Sequence, residues 1–335
     1  MGQAATLSLN LAVSLVWFGF AAWGALALWF RQPAGPQLLL PALWTLGAML
    51  MLVYFIRGRR RNAAIGMILL AATLLAWWSS LRPRAGADWS PDVARMPTAD
   101  IETDRLTIEN VRNFAWRSDA DFTERWERRT YAFSEVTGAD LFLSYWMGEA
   151  IAHAIISFSF ADGRQLAWSI EVRRQAGEEF SALAGFFRHN EVVMVAADER
   201  DVVKVRATVR HEDVRLYRLD IRAETARRLL RAYAHEANDL AATPRFYNTL
   251  LTNCTTVVYR LAKRLDPAIT LDPRVVLSGY LPSYLYDHDF LDRRLPLTKL
   301  VESSRIASNA LGMEDDPNFS RRIRQGVPTP RPTYH

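Results

Sequence analysis

A single cysteine, Cys254, is all that this 335-residue chain contains, so no disulfide can close within it and any folded part must rest on an apolar core. Acidic residues are missing altogether from positions 1–81, which carry five arginines, Arg31, Arg57, Arg59, Arg60 and Arg61. Setting those five aside leaves 36 basic residues against 36 acidic ones in the rest of the chain. The remainder is therefore neutral, and the basic pI belongs to the N-terminal segment. A nucleic-acid binder concentrates positive charge on its folded domain, so that class is excluded. No GxGxxG, P-loop, HExxH, CxxC or GxSxG pattern occurs. Nucleotide, redox and zinc-peptidase chemistry thus have no motif behind them, and no cofactor is expected.

What the N-terminal segment does have is apolar length. Leu7–Phe30, Leu38–Ile56 and Ala63–Leu81 each approach the roughly 20 residues that cross a hydrocarbon core as a helix. Six of the eleven tryptophans lie here, and Trp29, Trp77 and Trp78 sit at span ends, as in an aromatic belt. A cleaved signal peptide would show one run behind a basic start, whereas here three runs follow a neutral one. The cluster "RGRRR", residues 57–61, sets the orientation by the positive-inside rule, although Arg31, Arg82 and Arg84 fall on the other side. Residues 1–81 are expected to be a three-helix anchor with a cytoplasmic N-terminus. Everything after Leu81 then lies outside, in a periplasm if the cell has one.

Beyond the anchor, residues 82–110 are polar and hold three prolines, which reads as a linker leading into the domain. "IAHAIISFSFADGRQLAWSIEVRR" reads as a β-hairpin turning at Asp162-Gly163. Strand alternation sets His153, Ile155, Ser157 and Ser159 on one face and Ala154, Ile156, Phe158 and Phe160 on the other. Further strands are expected at Val192–Ala197, Val202–Val209 and Val214–Ile221. Helical periodicity follows over Ala223–Leu240 and from Cys254 to about Leu265. The fold class is α+β: an antiparallel sheet of about five strands with packed helices, over 111–325. The tail, 326–335, reads as disordered.

Within this domain Cys254 stands at a helix start, with Thr252 or Asn253 as the N-cap. Unpaired N–H groups and the positive helix end favour a thiolate there and can stabilise an oxyanion. Free cysteines are also commonly small buried hydrophobes, and position alone does not separate the two readings. A thiol nucleophile needs a base. Of the six histidines, His335 is terminal, His189 and His211 lie in polar turns, and His235 sits mid-helix beside Glu236. His288 lies between two aspartates, in a tripeptide too short to specify a metal. His153 differs, because an imidazole in an apolar strand needs a partner. Across the hairpin, a three-residue loop (161–163) sets Glu171 opposite His153, and a two-residue loop sets Val172 there. Glu171 has alternatives, since it can cap a sheet edge or pair with Arg173 or Arg174.

The blocks "HAIISFSF", "SIEVRR", "ERDVVKVR" and "YNTLLTNCTT", in that order, resemble the Lnb family of lipoprotein N-acyltransferases, which carry an N-terminal periplasmic domain. The resemblance runs from about Trp89 to the Cys254 helix and more weakly through "GYLPSYLYDHDFLD". The segment is also similar to circularly permuted papain-like (NlpC-type) folds, in which a strand histidine precedes a helix-N-terminal cysteine. The resemblance implies Cys254 as nucleophile and His153 as base and does not place a third member, for which the hairpin register offers Glu171. Asn253, Thr255, Ser169 and Tyr247 are candidates for substrate or oxyanion contacts. It further implies an inner-membrane enzyme that moves an acyl chain from a phospholipid, through a thioester, to the N-terminal amine of a diacylglyceryl-cysteine lipoprotein. The aromatic stretch Tyr280–Phe290 would contact acyl chains or simply pack the domain. A membrane-tethered cysteine amidase or peptidase acting on cell-wall peptide, and a non-catalytic binding module, remain the alternatives.

Overall fold

A computed structural model describes residues 3–31, 37–84, 86–312 and 316–330. The chain divides into two units, Met1–Ala85 with Ser181–His189, and Gly86–Phe180 with Asn190–His335.

The first unit is built on α1 (Gln3–Arg31), α2 (Leu39–Ile56) and α3 (Arg60–Ser80). All three are long and apolar enough to cross a membrane. Large side chains such as Leu15, Leu46 and Leu69 point outward, the arrangement of helices solvated by lipid. Contact between the helices depends on small residues and indole donors. A Cβ at Gly24 would come within 2.7 Å of Trp44 and Leu74, so glycine alone admits these side chains. Trp17 and Trp44 donate across helices to the carbonyls of Ala48 and Ala21, at 2.9 and 2.8 Å. Ser181–His189 joins the ends of α1 and α3. Phe187 stacks on Phe30, and the Arg188 guanidinium donates to the Trp78 carbonyl at 2.8 Å.

The second unit is α+β. Its strands are β1 (Thr98–Ile101), β2 (Arg105–Arg112), β3 (Ala115–Trp116), β4 (Phe122–Thr123), β5 (Trp126–Ala132), β6 (Val136–Tyr145), β7 (Ala152–Phe160), β8 (Gln165–Arg173), β9 (Glu191–Ala197) and β10 (Asp213–Arg218). β3 and β4 form a small ribbon, and the other eight make one sheet in the order β1-β2-β9-β8-β7-β6-β10, with β5 also on β2. The expected hairpin is β7–β8, and Phe160 N donates to Arg164 O, closing the three-residue loop. Its register, Ile155↔Ser169 and Ile156↔Trp168, continued by two residues, sets His153 opposite Glu171.

Both faces of this sheet are covered, which is why β7 reads as a nearly continuous apolar run. Ala154, Ile156, Phe158, Trp168 and Ile170 belong to one core, with Leu230 and Tyr233 of α5 (Ala223–Ala242) and Val257 and Leu261 of α6 (Cys254–Leu265). Ile155, Ala167 and Val195 belong to the other, with Val202, Phe319 and Ile323.

Several expectations are corrected. The sheet has eight strands rather than about five, and it is mixed, because β2 meets β9 in parallel at Arg112↔Ala197. Residues 82–110 are more than a linker, since β1 and most of β2 lie within them. Val202–Val209 is no strand. Asp198 accepts the Arg200 N–H and caps a short helix, Glu199–Val202, which runs on into a π turn at Val205–Val209. Val202 and Val203 of this segment fill the second core, and Val205 packs with Phe114 and Trp116, instead of taking strand positions. The tail is placed as far as Pro330, with Val327 buried in that core, and 331–335 lie outside the described residues.

Candidate active site

Asn253 is the N-cap of α6, in extended backbone geometry at φ −116°. Its Oδ1 accepts the N–H groups of Thr255 and Thr256 at 3.1 and 2.8 Å, and the Thr256 hydroxyl accepts the Asn253 N–H at 2.9 Å. This capping box fixes the first turn and consumes two of its unpaired donors. Val257 N reaches the Asn253 carbonyl, leaving the Cys254 N–H as the donor beside the thiol. The Asn253 amide also donates to Thr249 O at 2.7 Å, anchoring the helix start to the preceding turn. Asn253 and Thr255 are both buried, and both are spent on one another: the Thr255 hydroxyl donates to Asn253 Oδ1.

The β7–β8 ladder runs from Ser159↔Gln165 to Ile155↔Ser169 and then opens. At that opening the thiol of Cys254, whose helix packs on one face of the sheet, meets groups from the other. His153 Nε2 is 2.7 Å from Ser169 Oγ and 3.3 Å from Glu171 Oε1. Ser169 Oγ donates to the same carboxylate oxygen at 2.6 Å, and Arg206 Nη2 donates to it at 2.7 Å. With Nε2 engaged, Nδ1 is the ring nitrogen left for sulfur. The thiol lies near enough to the His153 side chain and the Ala154 backbone for both to act on its pKa.

Burial works against charge on each of these groups, and their neighbours reverse it. Burial raises the Glu171 pKa, yet the charges of His153 and Arg206, with hydrogen bonds from His153 and Ser169, hold it well below the usual carboxylate range. Burial is the largest influence on His153 and depresses its pKa, but the Glu171 charge and hydrogen bonds with Cys254 and Glu171 together outweigh burial and the opposing Arg206, and the imidazole is pushed up to about 9. Burial likewise raises the Cys254 thiol. Contact with His153, its positive charge and the Ala154 N–H bring the net shift below the ordinary thiol value. Each shift favours an imidazolium facing a thiolate.

Tyr247 is half-buried, and its hydroxyl pKa is raised by burial and by the nearby charges of Cys254 and Glu171, so it lines the same site. The structure thus brings Cys254, His153, Glu171, Ser169 and Tyr247 together, and places Asn253 and Thr255 beneath them as the helix cap. The remaining described histidines lie elsewhere: the His189 ring contacts Phe30 O, and His288 packs on Tyr284.

Two neighbours of the site carry no local signal in the sequence. Arg206 sits in the segment read as a strand, 35 positions from Glu171, so no local pattern ties the two. Tyr233 of α5 is fully buried, its hydroxyl has no hydrogen-bond partner among the described residues, and burial and then the Cys254 charge raise its pKa. Its apolar helical spacing marked it only as core.

Residues 122–284, just under half of the chain, match the family described as the Lnb N-terminal periplasmic domain. The match contains His153, Ser169, Glu171, Arg206, Tyr247 and Cys254. No curated protein and no solved structure matches the chain.

Proposed function

We propose that this Lnb-type domain, carried on a three-helix membrane anchor, is a thiol acyltransferase of lipoprotein maturation. The observation that carries the reading is the meeting of the Cys254 thiol with His153 at the opened end of β7–β8, on a ring already held by Ser169 and Glu171. A cysteine, a base and a group that orients the base make up an activated nucleophile. The N-terminus is cytoplasmic in this reading, because the basic cluster 57–61 lies between the second and third spans. The domain then works on the periplasmic face of the inner membrane, where acyl donor and acceptor both reside.

In the first half-reaction the Cys254 thiolate attacks the ester carbonyl of a phospholipid. The oxyanion that forms lies at the N-terminus of α6, with the Cys254 N–H as donor. As the C–O bond breaks, the imidazolium gives its Nδ1 proton to the departing alkoxide, leaving a thioester, a lysophospholipid and neutral His153. In the second, the α-amine of a diacylglyceryl-cysteine attacks the thioester. His153 takes the proton lost by the amine, the C–S bond breaks, and the amide forms as the thiolate returns. Ser169, Glu171 and Arg206 keep the ring oriented through both steps. Anchoring confines the search for both substrates to the membrane surface.

Complementation tests the reading. Wild type and Cys254→Ala are expressed in cells lacking their own lipoprotein N-acyltransferase, and lipoprotein N-termini are identified by mass spectrometry. N-acylation is expected with the wild type only. N-acylation with both proteins overturns Cys254 as nucleophile, and its absence with both overturns the acyltransferase in favour of amidase or binding activity.

A further inference from the structure

Three chain connections and one short turn converge on the end of the sheet where Cys254 meets His153. Residues 146–151 join β6 to β7. The segment after β8 leaves the same end, and the one before α6 enters it, pairing with the start of β9 through Glu191↔Phe246 and Tyr247 N→Asn190 O. The turn Ser278–Tyr280 docks on the start of β7, where the Ser278 hydroxyl bridges the N–H and carbonyl of Ala152. Gly279 lies against the 146–151 connection so closely that a Cβ there would meet Glu149 O at 2.0 Å.

All four carry large apolar side chains into solvent. Nine such residues of the second unit are exposed among those described, and seven lie on these segments. Trp146 and Met147 come from the first. Phe180 comes from the second and meets Trp146 edge-on at 5.5 Å. Leu250 and Leu251 come from the third, Tyr280 from the turn and Leu277 from just before it. Leu251, three positions before Cys254, is 70% exposed. The other two, Leu271 and Leu311, are scattered, as single exposed apolar residues ordinarily are. Apolar surface gathered at one place from four parts of a chain is a surface for contact.

We propose that this rim docks on the bilayer in which the three spans of the same chain lie, with Trp146, Met147, Leu250, Leu251, Leu277 and Tyr280 entering the headgroup and upper acyl region. The occupant is a lipid surface because the chain carries its own spans and because the rim mixes tryptophan and tyrosine with aliphatic residues, the composition of a membrane interface. Docking there brings the thiol to the level of glycerol esters, and in this respect it deepens the acyltransferase reading and rests on it.

Cys254 is the only cysteine, so Cys254→Ala gives a thiol-free chain. In that background the full-length protein, in phosphatidylethanolamine–phosphatidylglycerol nanodiscs, receives single nitroxide labels at Met147→Cys, Leu251→Cys, Leu271→Cys and Leu311→Cys. Power saturation then compares collisions with oxygen, which concentrates in lipid, and with a water-soluble nickel chelate. At 147 and 251 oxygen is expected to dominate severalfold, and at 271 and 311 nickel. Nickel dominance at all four positions overturns the docking. Shielding of 147 and 251 from both reagents also overturns it, pointing to a second protein chain as the cover. Since the background has no nucleophile, the readout is independent of acyl transfer. A lipid-exposed rim with failed complementation sinks the chemistry alone, and a water-exposed rim with successful complementation sinks the docking alone.

Discussion

Of the buried ionic clusters in the second unit, two are built to opposite ends. In one, Asp201 is fully buried and its two oxygens accept four hydrogen bonds: from Arg112 Nε and Nη2 at 2.9 and 3.0 Å, from Phe114 N at 2.8 Å and from Trp116 Nε1 at 2.7 Å. Every donor is either permanently charged or permanently protonated, so no proton in it can move. In the other, Glu171 Oε1 gathers Arg206, Ser169 and His153, the ring faces a thiol, and the His153 side chain retains 15% exposure. A closed cluster fixes the packing of β2 against the helix at Asp201. An open one, in which an imidazole lies beside a thiol, is suited to chemistry.

The largest expected effects break this comparison in both directions. Cys254→Ala should lower acyl transfer by at least about 10³-fold, measured as N-acylated lipoprotein, because no other nucleophile stands at the α6 N-terminus. Its thermal midpoint should stay within a few degrees of wild type, since the thiol is a small part of the core. Asp201→Ala should do the reverse. It strands a buried guanidinium and an indole N–H, at a cost of about 3–5 kcal/mol, read as a fall in thermal stability with activity retained in whatever folds. If Asp201→Ala left stability unchanged, the view of that cluster as a fixed brace would be wrong.

Glu171→Gln comes next. It keeps the shape and the Ser169 contact but removes the charge that raises the His153 pKa and that pairs with Arg206. Turnover should drop roughly 10–10²-fold, within the usual worth of positioned acid–base groups. The Cys254 thiolate should also become harder to form, seen as slower iodoacetamide alkylation at neutral pH. A purely structural carboxylate would leave the alkylation profile of the folded protein unmoved.

How much of this the sequence reveals depends on how local each signal is. The spans, the hairpin and both helices are written in runs of neighbouring residues, and their positions agree with the structure to within a few residues. Val202–Val209 fails for the same reason. Its β-branched composition is a local strand signal, and burial on the second face of the sheet, after an Asp198 cap, overrides it. Cys254 and His153 stand out because each is chemically out of place in its surroundings. Glu171 is legible only once the loop length sets the register. Arg206 and the apolar rim are not legible at all, since both exist only when segments distant in sequence are brought to one end of the sheet.

The pH response sharpens the contrast further. The raised His153 pKa contributes stability in full below its unfolded value of about 6.5, and this is lost as pH rises through about 9. The lowered Glu171 pKa contributes in full above about 4.3 and is lost as pH falls through its depressed folded value. Cys254 alkylation should therefore begin below the pH of an ordinary thiol and change again near 9, where the imidazolium gives up its proton. Glu171→Gln should move that upper limb to lower pH. The Arg112–Asp201 cluster makes no hydrogen bond to His153, Glu171 or Cys254 among the described residues, so Arg112→Met should leave the alkylation profile of the folded protein in place.

The smallest effect separates capping from substrate contact at Asn253. Asn253→Ala removes the acceptor for the Thr255 and Thr256 N–H groups and should cost about 0.5–2 kcal/mol of stability. Asn253→Ser restores a cap acceptor and should recover most of that, short of the bond to Thr249 O. Because the Asn253 side chain is buried and bonded within the chain, the serine variant should also recover turnover to within a fewfold of wild type. A serine variant that is stable but as inactive as the alanine one would show that the Asn253 side chain reaches the substrate. The cap would then belong with the open cluster after all, rather than beneath it.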